Sequence, residues 1–383
     1  MPGSWSHLVS PEPGAALSPL ELVAAALRGD PAPWPDVTGD AFAHAVLVTA
    51  AEHGVEARLA AGPAESALWP QAVCEHLHRA ARAAAVVEAL RHVELQAVLG
   101  ALHDAGVLPL ILKGTALAYC LYPAPHERPR IDTDLFLRHE DVDRAWEVFR
   151  ALGYARAAQN TGRLVSHQFA CARTDEHGVW HAFDLHWKLA NPQVFANLIG
   201  YDLLDSRAVP VPALGPHARV PSPVDLLVIA CLHQAAHHPE HLRLIWTLDV
   251  HLLAGSLGTQ GLAQLPPIAR ERGLATICAY GLRVAQRWLG TVIPQPVLDD
   301  LESVDPRSEP AARYIRHVSR LDNLFVDLGQ IPGWRDRMRL IIEHAFPPAE
   351  YMLRRYNTTR RAWLPALYVH RLVSGGWRWV RHA

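Results

Sequence analysis

Apolar residues recur three and four positions apart through most of the first hundred residues of this 383-residue chain, the spacing that gathers them on one stripe of an α-helix. Ser18-Pro19-Leu20-Glu21 opens the first helix, LELVAAALRG. A hydroxyl at the N-cap, Pro at the first helical position and Glu at the third make a capping box. The Pro-rich break PAPWPDV separates it from an Ala-rich second helix near 40–53, and a third, long helix is expected from about 69 to 105. The pattern then changes. VLPLILKG is a short apolar run ending in Gly and reads as a buried strand; TALAYCLY follows as a helix whose N-terminus abuts that Gly. IDTDLFL is the next strand, DVDRAWEVFRALGY an amphipathic helix closed by Gly153, and LVSHQFACAR with VWHAFDLHW a hairpin pair around Asp175 and Gly178. From Ser222 onward helices return, with links expected at 254–261 and at Pro266-Pro267. No internal repeat is evident. The class is α+β: a mixed sheet with flanking helices, expected as a helical region over 1–95, a core over 96–200 and a helical domain over 201–383.

Half of the residues are hydrophobic and the charges balance to a formal −2, which excludes a disordered chain and a global polyanion-binding field. The five cysteines, 74, 120, 171, 231 and 278, are odd in number and far apart, with no CxxC pair. Reduced thiols in a cytoplasmic protein are therefore expected. The start, MPGSWSHLVSPEPG, lacks a cationic segment followed by an apolar run, so no secretory signal is expected. The nearest candidate for a membrane span, 362–380, contains His370, Arg371, Arg378 and Gly375-Gly376, and reads as a terminal helix and turn. No membrane partner is expected.

Candidate chemistry concentrates in LKGTALAYCLYPAPHERPRIDTDLFL, residues 112–137. In an extended strand Asp132 and Asp134 point to one face, about 7 Å apart, while Ile131, Thr133 and Leu135 take the other. Two such carboxylates repel unless a cation sits between them, and hard Mg²⁺ takes carboxylate oxygens and completes its shell with substrate phosphate. At the turn before them, Gly114 and Thr115 stand where a strand hands over to a helix, so backbone N–H groups and the positive helix end can face a phosphate. Asp184, in HAFDLHW, shares a strand face with Ala182 and His186 and is the candidate third carboxylate; its structural alternative is pairing with His186 or an Arg.

The run resembles the signature of the DNA polymerase beta-like nucleotidyltransferase superfamily, a Gly-Ser/Thr turn followed by Asp-x-Asp. It is most similar to an uncharacterised branch with an LKG turn, an Arg four residues before the first Asp, and a later DLHW strand. Here those are Lys113, Gly114 and Thr115, then Arg128, Asp132 and Asp134, then Asp184. HLRLIWTLDVHLL and FPPAEYMLRRY are weaker echoes of that branch. The stretch from Thr115 to Ile131 is longer than in the compact members of the superfamily. The resemblance implies a polymerase beta-like core and transfer of an NMP from an NTP such as ATP to an acceptor hydroxyl or phosphate. It implies two Mg²⁺ ions, both held by Asp132 and Asp134 and one of them also by Asp184. Lys113 and Arg128 would meet the phosphates. For Lys113 the alternative is a surface cation; for Arg128 it is an ion pair with Glu127 or a neighbouring acid, with Arg130 competing for the role. Arg243 or Asp249 is expected near nucleotide or acceptor. His233 and His237 lie at i, i+4, with His238 and His241 beyond, but zinc is disfavoured because HEXXH is absent.

The acceptor stays open among a small molecule, a peptide natural product, a protein side chain and a tRNA end, the first two preferred. A tRNA-directed, toxin-like enzyme and a catalytically silent nucleotide-binding module are the alternatives. Beyond Glu350 seven arginines share the tail with Trp363, Trp377 and Trp379. That segment suits RNA through phosphate contact and stacking. It suits better an amphipathic helix whose tryptophans close the core.

Overall fold

A computed structural model describes residues 17–30, 32–35, 39–62, 68–237, 242–315 and 320–381. The N-terminal segment 1–14 and two of the four histidines considered above, His238 and His241, lie outside them. The capping box forms as the local sequence requires. Ser18 N–H donates to Glu21 Oε2 at 2.9 Å, Glu21 N–H donates to Ser18 Oγ at 3.3 Å, and Gly29 at φ 77° ends helix α1 (Pro19–Arg28). Helices α2 (Asp40–Glu52) and α3 (Glu56–Ala60) lead to α4 (Gln71–Asp104), a strut of 34 residues that is roughly 50 Å long at 1.5 Å per residue. The expected boundary at residue 95 falls inside this helix.

After α4 come β1 (Leu110–Ile111), α5 (Lys113–Cys120), β2 (Thr133–Phe136), α6 (Val142–Ala151), β3 (Ala155–Arg156), β4 (Gln168–Thr174) and β5 (Trp180–His186). The five strands form one mixed sheet in the order β1-β2-β5-β4-β3. β4 and β5 are the antiparallel hairpin the alternating pattern predicts. β2 and β5 are parallel neighbours, which requires a crossover, and α6 with β3 and β4 supplies it. Thr133 pairs with Phe183 and Leu135 with Leu185, so these side chains share one face, where Phe149 of α6 meets Phe183 at 5.1 Å between ring centroids. Asp134 and Asp184 stand opposite each other on the other face. This is the mixed α+β core the residues indicated.

Short elements follow: α7 (Gln193–Ala196), α8 (Tyr201–Asp205) and a ribbon of β6 (Val209–Pro210) with β7 (Arg219–Val220). Then α9 (Pro223–His237), α10 (Leu244–Leu262), α11 (Leu265–Glu271), α12 (Ala275–Leu289) and α13 (Gln295–Glu302) build a helical body. α9 and α12 cross closely because residue 281 is Gly: a Cβ there would stand 2.6 Å from Cys231 Sγ. The N-terminal helix joins this body, with Arg28 donating to the Trp288 carbonyl at 2.8 Å.

Three expectations are corrected here. The link at 254–261 is helix, broken only at Gly258 (φ 57°, ψ −170°), because the flanking Leu253, Ala254 and Leu262 are buried and hold both halves in place. Pro266-Pro267 is no link either; it occupies the first turn of α11, where missing N–H groups cost nothing. The chain finishes with α14 (Arg320–Gln330), α15 (Trp334–Ala345), α16 (Ala349–Arg355) and α17 (Leu364–Arg381). Trp363 does not close the core as expected but stays 55% exposed; the side chains of Trp377 and Trp379 lie outside the described set. No described helix is long and apolar enough to cross a membrane.

Candidate active site

The site is built by register. Because β2 and β5 run parallel with Asp134 opposite Asp184, His186 lies one diagonal step from Asp134 on the same face. One ligand atom from each of Asp134, Asp184 and His186 lies within 4.8 Å of the other two. Asp132 enters from the residue before β2, outside that tight set but close enough to act on the charges of Asp134, Asp184 and Lys113. Gln168, across β4, donates to Asp184 Oδ2 at 2.7 Å and fixes that carboxylate's rotamer.

Lys113 closes the site from the strand–helix turn. Its ammonium donates to Asp134 Oδ1 at 2.6 Å, and His186 Nε2 meets the same oxygen at 2.7 Å. Lys113 also adopts φ 49°, a left-handed conformation that a residue with a Cβ seldom takes, at the first position of α5. Gly114 and Thr115 follow in the first turn of that helix. A Cβ on Gly114 would stand 3.2 Å from Arg128 Nη1, so the absent side chain lets a guanidinium lie against the turn. Thr115 is buried, with its hydroxyl 3.5 Å from that of Thr133.

Arg128 pairs with an acid, but not with Glu127, which Arg58 takes at 2.8 Å; its partner is distant in sequence. Its Nε and Nη2 donate to the two Asp249 oxygens at 2.8 and 2.7 Å, and the Tyr122 hydroxyl donates to Asp249 Oδ1 at 2.8 Å. The pair joins the core to α10. Arg130 is held instead by Glu88 of α4, which also accepts the Tyr119 hydroxyl at 2.8 Å. Lys113, Leu117, Arg128, Leu226, Ile229, Ala230, His233, Trp246 and Asp249 line a narrow, solvent-open cleft between α5 and the helical body. Arg243 stands at the start of α10 with its guanidinium 5.0 Å from the centre of the Trp246 ring. Among the described residues no carboxylate pairs with it.

The electrostatics follow from this crowding. Burial, then the negative charges of Asp134 and Asp132, push the Asp184 carboxyl up to about 7. Burial and Asp134 likewise raise Asp132. Burial alone would also raise Asp134, but the Lys113 charge and the His186 hydrogen bond hold it well below the ordinary carboxylate range. Burial works against the Lys113 ammonium, yet Asp134, Asp132 and Asp184 together keep it above its usual value. The site therefore carries more negative charge than its one lysine neutralises, with two carboxylates strained toward protonation. That excess, on oxygen donors converging from adjacent strands, fits a hard divalent cation.

The structure thus gathers Lys113, Gly114, Thr115, Asp132, Asp134 and Asp184 at one end of β2 and β5, and sets Arg128 directly behind the turn. Arg243 stands further off, beyond Trp246. His233 packs edge-on against Trp246, 5.0 Å between centroids, and the side chain of His237 lies outside the described set. Sequence reasoning did not assign His186 or Gln168 to the site. His186 carried a signal, its i, i+2 position from Asp184 on the same strand face; Gln168 carried none, since only the hairpin register brings it across.

No curated protein matches this chain. A family model does: residues 41–290, which span every side chain placed in the site, match that of an uncharacterised nucleotidyltransferase family. With about two thirds of its length inside that match and the Lys-Gly-Thr turn, Asp-x-Asp and DLHW strand assembled in space, the chain belongs to this family of nucleotidyltransferases.

Proposed function

We propose that this nucleotidyltransferase moves an NMP from an NTP, ATP among the candidates, to a hydroxyl or phosphate of a small molecule or peptide natural product, releasing pyrophosphate. The observation that carries this is the convergence of Asp134, Asp184 and His186, with Asp132 beside them, next to the glycine-containing turn. Asp132, Asp134 and Asp184 would hold Mg²⁺, two ions by the family resemblance, which when bound neutralises phosphate charge and acidifies the attacking hydroxyl.

The chain's own groups supply position and charge. The first-turn N–H groups of α5 at Gly114 and Thr115 face the donor's terminal phosphates, and Lys113, released from Asp134, meets their oxygens. The acceptor oxygen bonds to the α-phosphorus as the bond from that phosphorus to the bridging oxygen breaks. The acceptor's proton passes to Asp184, the carboxylate opposite Asp134 on the neighbouring strand. Arg128, held by Asp249, backs the turn, and Arg243 at the start of α10, its guanidinium beside the Trp246 ring, offers positive charge to the donor or acceptor. The five free thiols fit a reducing compartment, and we place the protein in the cytoplasm.

Incubation with each α-labelled NTP, Mg²⁺ and extracts split into small-molecule, peptide and RNA fractions tests the proposal. Label is expected in the small-molecule or peptide fraction and absent with Asp132→Asn. Label confined to RNA would establish the tRNA-directed alternative. Tight MgATP binding by calorimetry with no labelling of any fraction would establish the silent module.

A further inference from the structure

Residues 331–381 lie beyond the matched family region and carry ten arginines against three acids, in a chain whose formal net charge is −2. One of those acids, Glu343, is consumed internally. Its carboxylate accepts the backbone N–H groups of Arg163, Leu164 and Val165 at 2.9 to 3.0 Å, fastening α15 to the loop before β4. Gly162 makes room for it, since a Cβ there would collide with Glu343 Oε2. The layer is braced within itself by Tyr368, whose hydroxyl donates to the Pro347 carbonyl at 2.6 Å, and by Arg371, which donates to the His344 carbonyl at 3.1 Å. Leu340 and Met352 are its buried centre.

This layer turns apolar side chains to solvent beside its arginines. Along α15 and its end, Trp334, Met338, Ile341, Ile342 and Phe346 fall at helical spacing and are 70, 46, 38, 51 and 53% exposed, while Leu340 on the opposite side is 1% exposed. α17 repeats the pattern at Val369, Leu372 and Val373. Phe346 meets the Tyr368 ring at 5.7 Å, so the end of α15 packs beside α17. Arg335, Arg339, Arg354, Arg355, Arg360 and Arg361 of the same layer are exposed as well. A helix face of Trp, Ile and Phe flanked by arginines has the composition that lies in the headgroup plane of a bilayer, with guanidinium groups on lipid phosphates and the apolar stripe among the upper acyl chains.

We propose that α15 and α17 dock this protein on an anionic lipid surface without crossing it, in place of the expectation that it has no membrane partner. Charge decides among occupants. A second copy would set one cationic face against another, and RNA would satisfy the arginines while leaving five large apolar side chains against a phosphate backbone. The cytoplasmic leaflet offers anionic headgroups together with an apolar interior.

Co-sedimentation of the full chain with vesicles of phosphatidylcholine, alone or mixed with phosphatidylglycerol, tests this. Binding is expected to the mixed vesicles, to weaken with salt, to fall about fivefold for each arginine removed in Arg354→Ala and Arg355→Ala, and to fall at least about tenfold in Ile342→Asp. Ile342→Asp sits on an exposed position and should melt as the wild type does; Trp334→Ser serves as a second apolar deletion should it not. The proposal is overturned if the mixed vesicles fail to sediment the protein or if both apolar substitutions leave sedimentation unchanged. It is equally overturned by a dimer in light scattering that Ile342→Asp dissociates, or by tRNA binding that the arginine substitutions abolish while vesicles do not bind.

Discussion

Asp184 is the side chain whose chemistry depends most on its surroundings. Burial and the charges of Asp134 and Asp132 lift its carboxyl to about 7 in the folded chain. The folded state therefore keeps a proton over a range in which the unfolded chain has released it, so stability falls as pH rises from the ordinary carboxylate range to about 7, and the penalty persists above that. Asp184→Asn removes the penalty. The variant should melt higher than the wild type at pH about 8 and lose most of that advantage at pH about 5, with labelling activity abolished at both; scanning calorimetry across that range checks it. Asp132 and Asp134 differ in kind. Asp134 neutralises a half-buried lysine at 2.6 Å, so Asp134→Asn should lower the melting temperature as well as abolish activity, since breaking a fully buried pair costs about 3–5 kcal/mol and a half-buried one less. Asp132→Asn should abolish labelling with little loss of stability, because Asp132 forms no ion pair among the described residues and burial with the Asp134 charge already raises its carboxyl. Equal melting losses in the two variants would remove this distinction.

At the scale of the element, α1 stands on local interactions and α5 on tertiary ones. Ser18→Ala deletes the cap of α1 and should cost about 1 kcal/mol in a denaturant titration, with activity unchanged. Gly114→Ala favours helix by about 1 kcal/mol in isolation. Here the added methyl meets Arg128 Nη1 at 3.2 Å, and the guanidinium is pinned by Asp249. The expected result is a raised KM for the NTP with a melting temperature within a few degrees of wild type, measured by steady-state labelling. Elements whose cause is local were legible: the capping box, the amphipathic stripe of α6 closed by Gly153, and the β4–β5 hairpin all appear where hydrophobic period and turn chemistry put them. α10 was not. Its glycines read as a link, yet burial on both sides of Gly258 carries the helix through.

In the whole molecule, a cleft lined by Lys113, Arg128 and Asp249 lies between α5 and the helical body, and the bidentate Arg128–Asp249 pair crosses that junction. Binding of a divalent cation removes the repulsion among Asp132, Asp134 and Asp184, so Mg²⁺ should raise the melting temperature more at pH about 8 than at pH about 5.5, where protons occupy the same oxygens. A shift that is equal at both values would show that the ion binds elsewhere. The sequence by itself determined which residues are candidates for the chemistry: period-two alternation placed Asp132 with Asp134, and Asp184 with His186, each pair on one strand face, and the Lys-Gly-Thr turn marked a helix start. Only the tertiary structure decided how they meet. The parallel register of β2 on β5 sets Asp134 beside Asp184, Lys113 neutralises Asp134, and Arg128 finds its carboxylate 121 residues away, because strand order and helix docking minimise exposed apolar surface over the entire chain rather than within any one segment.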